Sequence, residues 1–226
     1  MAYGAEEMAM KSKQEILDGV CECGIVAVVR AESADLALKA VEAALEGGVS
    51  VVEITFTVPG ALEVIRSVAK SIGADAILGA GTVLAPQTAT DAIEAGARFV
   101  VSPCTNFSVI EAARLKGVPV FPGALTPTEV VAAWQAGADM VKIFPANVMG
   151  PGYLRDLHGP LPQVKLMPTG GVNLDTAMEY LKCGAAALGV GGDLINKKLM
   201  ADGNFAEITE RARRFTAIVQ EFRAGS

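Results

Sequence analysis

With 226 residues, 51% of them hydrophobic, and a formal net charge of −6, the chain is long enough for one sizeable core, and its charge gives no basis for binding nucleic acid or an anionic membrane. No stretch approaches the roughly 18 uninterrupted apolar residues of a membrane span, and residues 1–13 lack the apolar segment of a signal peptide. The four scattered cysteines (Cys21, Cys23, Cys104 and Cys183) read as free thiols of a cytoplasmic protein, and the single histidine, His158, argues against both a metal site and a Ser-His-Asp triad.

In chain order, residues 1–13 read as a flexible or short helical extension. A strand over 24–30 ends on Arg30, whose guanidinium is suited to a carboxylate or phosphate but as a lone terminal charge could equally be solvated. Further strands are expected over 51–57, 76–81, 99–102, 119–122, 140–144, 165–168 and 186–189. Helical patterns fill the gaps, for example over 34–46, 60–71, 86–95, 107–116 and 127–136, with Pro86 and Pro127 in first turns, where no backbone N–H is missed. Residues 204–223 form a closing amphipathic helix with Phe205, Ile208, Phe215, Ile218 and Phe222 as its apolar stripe, while Trp134 reads as helix surface.

Four segments, 46–54, 94–102, 135–143 and 182–190, repeat one pattern of helix end, glycine, tight turn and short buried strand. Their recurrence at roughly 40 to 50 residues marks a repeat architecture. Eight alternating β and α units predict a single-domain α/β protein over 1–226, a (β/α)8 TIM barrel; a doubly wound open sheet does not account for a repeat around the whole chain. Superposed, the four segments align Glu53, Val101, Lys142 and Gly189, which predicts one shared layer of the barrel interior, with Gly189 leaving space for a ligand.

An acid and an amine at matched depth in an apolar barrel point to chemistry. Desolvation lowers the pKa of a lysine and frees its lone pair for attack on a carbonyl, and a carboxylate beside it can shuttle protons. The same carboxylate stabilises the cation, so the two effects compete, and a buried structural ion pair is the alternative. Glycine-rich turns at 79–82, 168–171 and 189–192 let backbone N–H groups approach an anion, the last two following the seventh and eighth expected strands, where barrels often bind phosphate. Thr169 adds a hydroxyl, Thr57 keeps the inward parity of Glu53 near the mouth, and the Ser102-Pro103 segment shapes the pocket wall.

Glu53-Ile-Thr-Phe-Thr-Val-Pro59, Gly79-Ala-Gly-Thr-Val83, Val141-Lys-Ile-Phe-Pro-Ala146 and Pro168-Thr-Gly-Gly-Val172, in this order and at strand ends, resemble the 2-keto-3-deoxy-6-phosphogluconate and 2-keto-4-hydroxyglutarate aldolase family. The resemblance runs from about residue 24 to the last helix. It implies a class I aldolase, independent of metal and of any cofactor, on a homotrimeric barrel that acts on small keto acids and aldehydes. By it, Lys142 forms the Schiff base, Glu53 is the general acid/base, Arg30 and Thr82 lie near the keto-acid carboxylate, and Phe144 stands beside the lysine. Thr169, Gly170, Gly171, Gly191 and Gly192 match the phosphate end. The chain departs from the family at Thr57, where some members carry arginine, and around Gly192 and Asp193, where a hydroxyl offered to phosphate is missing. Asp193 is either a benign helix cap or, if it points inward, a charge that repels phosphate. An isomerase, epimerase or thiamin-phosphate-type synthase on a phosphate-binding barrel, and a self-assembling scaffold without activity, are the competing readings.

Overall fold

The strands are buried along their whole length: every residue of β1 (Ile25–Val29), β2 (Val51–Thr55) and β3 (Ile77–Gly81) is inaccessible to solvent. Such strands need cover on both faces, which suits parallel pairing with helical crossovers. The computed structural model describes residues 11–73 and 76–225, so the expected 1–13 extension lies outside the described residues except for its last three. Before β1 comes α1 (Lys13–Cys23). Alternating with the strands are α2 (Ala34–Glu46), α3 (Ala61–Ser71), α4 (Pro86–Glu94), β4 (Phe99–Val101) and α5 (Phe107–Leu115). The second half holds β5 (Val120–Phe121), β6 (Gly123–Ala124), α6 (Pro127–Gln135), β7 (Val141–Ile143), a 3-10 turn (Ala146–Val148), α7 (Pro151–His158), β8 (Leu166–Pro168), α8 (Ala177–Lys182), β9 (Leu188–Val190), α9 (Lys197–Ala201) and α10 (Phe205–Ala224).

All pairings are parallel. Six strands run in the order β5-β4-β3-β2-β1-β9 and three in the order β6-β7-β8. The register aligns Val28, Glu53 and Gly79 on β1, β2 and β3, and Gly79 with Phe99 on β4. Isolated bridges Leu166↔Ala185 and Thr169↔Gly189 connect the β8 and β9 segments. The result is an α/β fold with a curled parallel sheet.

The curl divides the core in two. One apolar set lies between the strands and the outer helices, with Ile54, Ile65, Leu78, Ile110, Ile143 and Phe215 among its fully buried members. The other lies on the concave side: Val26, Val51, Ile77, Phe99, Val101, Phe121, Met140, Met167 and Ala187, closed by Ile16, Leu17 and Val20 of α1. α1 is a firm plug because Ser12 and Glu15 form a reciprocal capping box at its start and Gly24 ends it in the left-handed region (φ 71°). The concave face is therefore sealed by apolar side chains at the end where the strands begin. Glu53, two residues beyond Val51, and Lys142, two beyond Met140, continue the inward parity towards the strand C-termini.

Several elements differ from their sequence-based bounds. The second strand stops at Thr55, and Phe56 and Thr57 form a turn in place of its last two residues. The expected 119–122 strand is two short segments, β5 and β6, separated by Pro122, whose carbonyl accepts a hydrogen bond from Lys142 N at 2.9 Å while its ring nitrogen has no proton to give. α1 lies almost wholly beyond the expected 1–13 extension, over residues for which no element was expected, and packs Ile16, Leu17 and Val20 beneath the sheet. On α10, Ile208 and Phe215 are fully buried as the stripe predicts, Phe205, Ile218 and Phe222 pack at its edge, and Thr209, Ala212 and Val219 join the buried face.

α10 crosses the end of α2 so closely that a Cβ on Gly47 would lie 2.3 Å from Ala212 Cβ and 2.5 Å from the Thr209 carbonyl oxygen. Gly47→Ala is expected to destabilise the fold by about 1–3 kcal/mol through overpacking. Gly152→Ala, which meets nothing within 4 Å, should stay within about 1 kcal/mol of the parent. Urea unfolding of the two variants tests this, and equal midpoints would contradict the close approach.

Candidate active site

Glu53 and Lys142 occupy inward positions of β2 and β7, with 0% and 2% of their surfaces exposed. Among the described residues neither carboxylate oxygen of Glu53 has a hydrogen-bond partner, so the acid is buried without being tied to Lys142 or to anything else. Such a group is costly to keep charged. Space for it comes from Gly81 on the neighbouring strand, where a Cβ would stand 1.7 Å from Glu53 Oε1. Gly79 does the same for Phe99, whose ring lies 2.2 Å from where its Cβ would be and stacks on Phe121 at 5.2 Å between centroids.

Burial raises the Glu53 carboxyl above its ordinary value; the charges of Lys142 and Arg30 pull it back down by less. Burial likewise lowers the Lys142 amine, with Glu53 opposing that shift and Arg30 adding to it. Desolvation is the largest cause in both cases, so burial outweighs the attraction between the two groups and shifts each toward its neutral form. The Lys142 Nζ lies 5.1 Å from the centroid of the Phe144 ring, so the aromatic walls one side of the amine.

Beyond Phe144 opens a cavity of about 320 Å³. Its wall carries seven of the residues expected from the sequence: Arg30, Phe144, Thr169, Gly170, Gly171, Gly191 and Gly192. Arg30, the residue after β1, extends over Gly191, with Nη1 3.5 Å from where a Cβ would be. Gly170 and Gly171 have φ values of 91° and 76°, a conformation that side chains disfavour, and Gly171 also lets Asn147 approach to 2.3 Å from its Cβ position. The N–H groups of Gly171 and Gly192 have no protein partner among the described residues.

One expectation needs correction, and one open alternative is decided. Gly189 does not leave open space: Thr169 Oγ1 fills it, lying 2.2 Å from where a Cβ would be, and the Thr169 hydroxyl donates to the Met167 carbonyl at 3.4 Å. Asp193 does not cap α9, whose N-cap is Asn196. It lines the cavity, and its Oδ2 accepts from Leu174 N at 3.3 Å. The remaining expected residues, Thr57, Thr82 and Pro103, are not among those lining this cavity. Thr57 is exposed and its hydroxyl meets that of Thr55 at 2.6 Å. Thr82 is half-buried with φ 58°, an outlier for a β-branched residue. Pro103 is half-buried, with its carbonyl against Gly123. The sequence reading overlooked the role of Gly81, although its signal was there: two glycines at alternate positions of one strand, both facing inward, imply that neighbouring strands send large side chains over them.

The chain matches the family model described as aldolase, KDPG and KHG aldolase, over residues 16–211. It is 34% identical to the 2-dehydro-3-deoxy-phosphogluconate aldolase of Treponema pallidum (strain Nichols), the match covering 86% of this chain and 93% of that protein. It is 33% identical to the KHG/KDPG aldolase of Escherichia coli (strain K12), covering 90% and 96%. Its fold superposes with a TM-score of 0.81, at 29% identity and with 90% and 97% coverage, on the KDPG aldolase from Legionella pneumophila with pyruvate captured at low pH as a covalent carbinolamine intermediate.

The raised Glu53 makes a prediction about stability that is independent of function. At neutral pH the unfolded chain holds an ionised glutamate in water, whereas the folded chain must either desolvate the charge or bind a proton. Both options reduce stability, and the penalty disappears as pH falls below the ordinary value of 4.5, where both states are protonated. Glu53→Gln should therefore be more stable than the parent at pH 7, and the gap should narrow as pH falls toward 4. A variant no more stable than the parent at pH 7 would mean that the carboxylate is held by partners after all.

Proposed function

The chain belongs to the KDPG and KHG aldolase family and is an aldolase, a carbon–carbon lyase, and on that premise we propose that it works through a Schiff base on Lys142 with Glu53 as its proton shuttle. The proposed reaction is reversible cleavage of 2-dehydro-3-deoxy-6-phosphogluconate to pyruvate and glyceraldehyde 3-phosphate, and of 4-hydroxy-2-oxoglutarate to pyruvate and glyoxylate. The observation that carries the residue assignment is the burial of an amine and an acid that feel each other's charge, each shifted toward its neutral form by desolvation.

In this reading the neutral Lys142 amine attacks the keto carbon to give a carbinolamine. Glu53 then donates its proton to the departing hydroxyl, leaving water and an iminium. Now a carboxylate, Glu53 takes the proton of the C4 hydroxyl. The C3–C4 bond breaks, its electrons flow into the iminium to form the enamine of pyruvate, and the aldehyde leaves. Glu53 returns its proton to C3, and hydrolysis of the resulting iminium releases pyruvate, restores the neutral amine and gives the proton it frees back to Glu53. Arg30 and Thr82 hold the keto-acid carboxylate, and Phe144 packs beside the amine. Thr169, Gly170, Gly171, Gly191 and Gly192 receive the aldehyde end, with Thr57 and Pro103 at the mouth. No metal or cofactor has a step in this sequence.

The same reading takes the chain as one domain, a closed (β/α)8 barrel. The parallel order of both sheets, the Thr169↔Gly189 and Leu166↔Ala185 bridges and the apolar plug on the concave side support closure. It also takes the protein as a cytoplasmic homotrimer. Exposed Leu84, Phe107, Val148 and Met149 are apolar surface of the kind that subunit contacts cover. Light scattering is expected to return three times the monomer mass.

Incubation with pyruvate and borohydride, followed by peptide mapping, is expected to place a reduced adduct on Lys142 and to give none in Lys142→Met. An adduct on another lysine, or none in folded protein, would overturn the assignment. Glu53→Gln should lower kcat by about 10²–10⁴-fold. Gly81→Ala, whose methyl displaces the Glu53 carboxylate, should lower kcat by more than tenfold.

A further inference from the structure

Among the side chains lining the cavity beyond Phe144, one is a cation, Arg30, and one is a carboxylate, Asp193. Asp193 is fixed at two points. Its Oδ2 accepts from Leu174 N at 3.3 Å, which ties the turn after β9 to the turn after β8, and its main-chain oxygen accepts from Arg211 Nη1 at 2.7 Å. Arg211 does not neutralise the carboxylate, since its Nε pairs with Glu207 at 2.9 Å and its Nη1 reaches only the Asp193 carbonyl. Nearby, the N–H groups of Gly171 and Gly192 have no protein partner among the described residues. The far wall therefore offers donors from the backbone and an acceptor with negative charge from Asp193. A sugar hydroxyl satisfies both, since it donates as well as accepts. A phosphate accepts from the N–H groups but meets a like charge at Asp193.

We propose that Asp193 sets the charge preference of this end of the cavity, admitting an uncharged, hydroxyl-bearing aldehyde tail and weakening the hold on a phosphorylated one. The inference rests on the reading that Lys142 performs aldol cleavage at the near end. It makes Asp193 a specificity-determining residue that broadens the aldehyde range and leaves the imine chemistry to Lys142 and Glu53.

The test compares the parent with Asp193→Asn, whose amide oxygen keeps an acceptor for Leu174 N–H, and with Asp193→Ser. kcat/KM is measured for a six-carbon 2-keto-3-deoxy acid and for its 6-phosphate, and binding of inorganic phosphate is measured by calorimetry. Removing the charge is expected to raise the ratio of phosphorylated to unphosphorylated kcat/KM by about tenfold or more, through KM of the phosphorylated substrate, and to tighten phosphate binding by a similar factor. A merely structural tie between the two turns would weaken both substrates together and leave the ratio where it was. That outcome, or phosphate affinity within twofold of the parent, overturns the proposal. Pyruvate trapping on Lys142 separates the two readings: an adduct with an unmoved ratio sinks only the role of Asp193, whereas no adduct sinks the aldol assignment, and phosphate affinity alone then decides for Asp193.

Discussion

The site depends on one constraint, the cost of burying charge. Glu53 and Lys142 face the concave side of a sheet that is sealed by apolar residues at its other end. Water cannot solvate either group well, and no hydrogen bond compensates the carboxylate. A paired arrangement would have stabilised the cation and left the lysine unreactive. Burial without a bridging hydrogen bond shifts each toward its neutral form, the form in which an amine can attack and an acid can donate. The structure accepts some instability for this, as functional sites commonly do.

Glycine supplies the room. On the concave face, Gly79 and Gly81 are taken up by Phe99 and Glu53, and Gly189 by Thr169. These strand glycines look like gaps in the packing but are filled by a neighbouring strand's side chain, so each one positions the group that overlies it. Gly170 and Gly171 act differently. Both have positive φ in the turn that lines the cavity, and Asn147 packs against Gly171. One residue type thus serves two needs, the packing of large inward side chains and a left-handed turn at the cavity wall.

Much of this was legible in the chain. The four repeats located the parallel strands because each one needs the same helix end, glycine turn and buried run, a local requirement that leaves a local pattern. The matched positions singled out Glu53 and Lys142, because an acid and an amine stand out in apolar strands. Less legible were the elements whose form depends on what lies across from them. α1 is amphipathic toward the underside of the sheet, a surface that no pattern in residues 14–23 identifies. The split of the fifth strand at Pro122, and the end of β2 at Thr55, depend on which neighbours offer a donor or acceptor at that height.

Periodicity and the chemistry of a few misplaced side chains were enough to determine the α/β class, the order of its units, the acid–amine pair and the glycine turns at the strand ends, since these are properties of short segments. Three things were decided by the tertiary structure alone: that desolvation outweighs the attraction between Glu53 and Lys142, that Thr169 occupies the space beside Gly189, and that Asp193 turns into the cavity instead of capping a helix. Each is a balance among groups far apart in the chain. Solvation, free volume and side-chain direction belong to the assembled neighbourhood, and no segment carries them by itself.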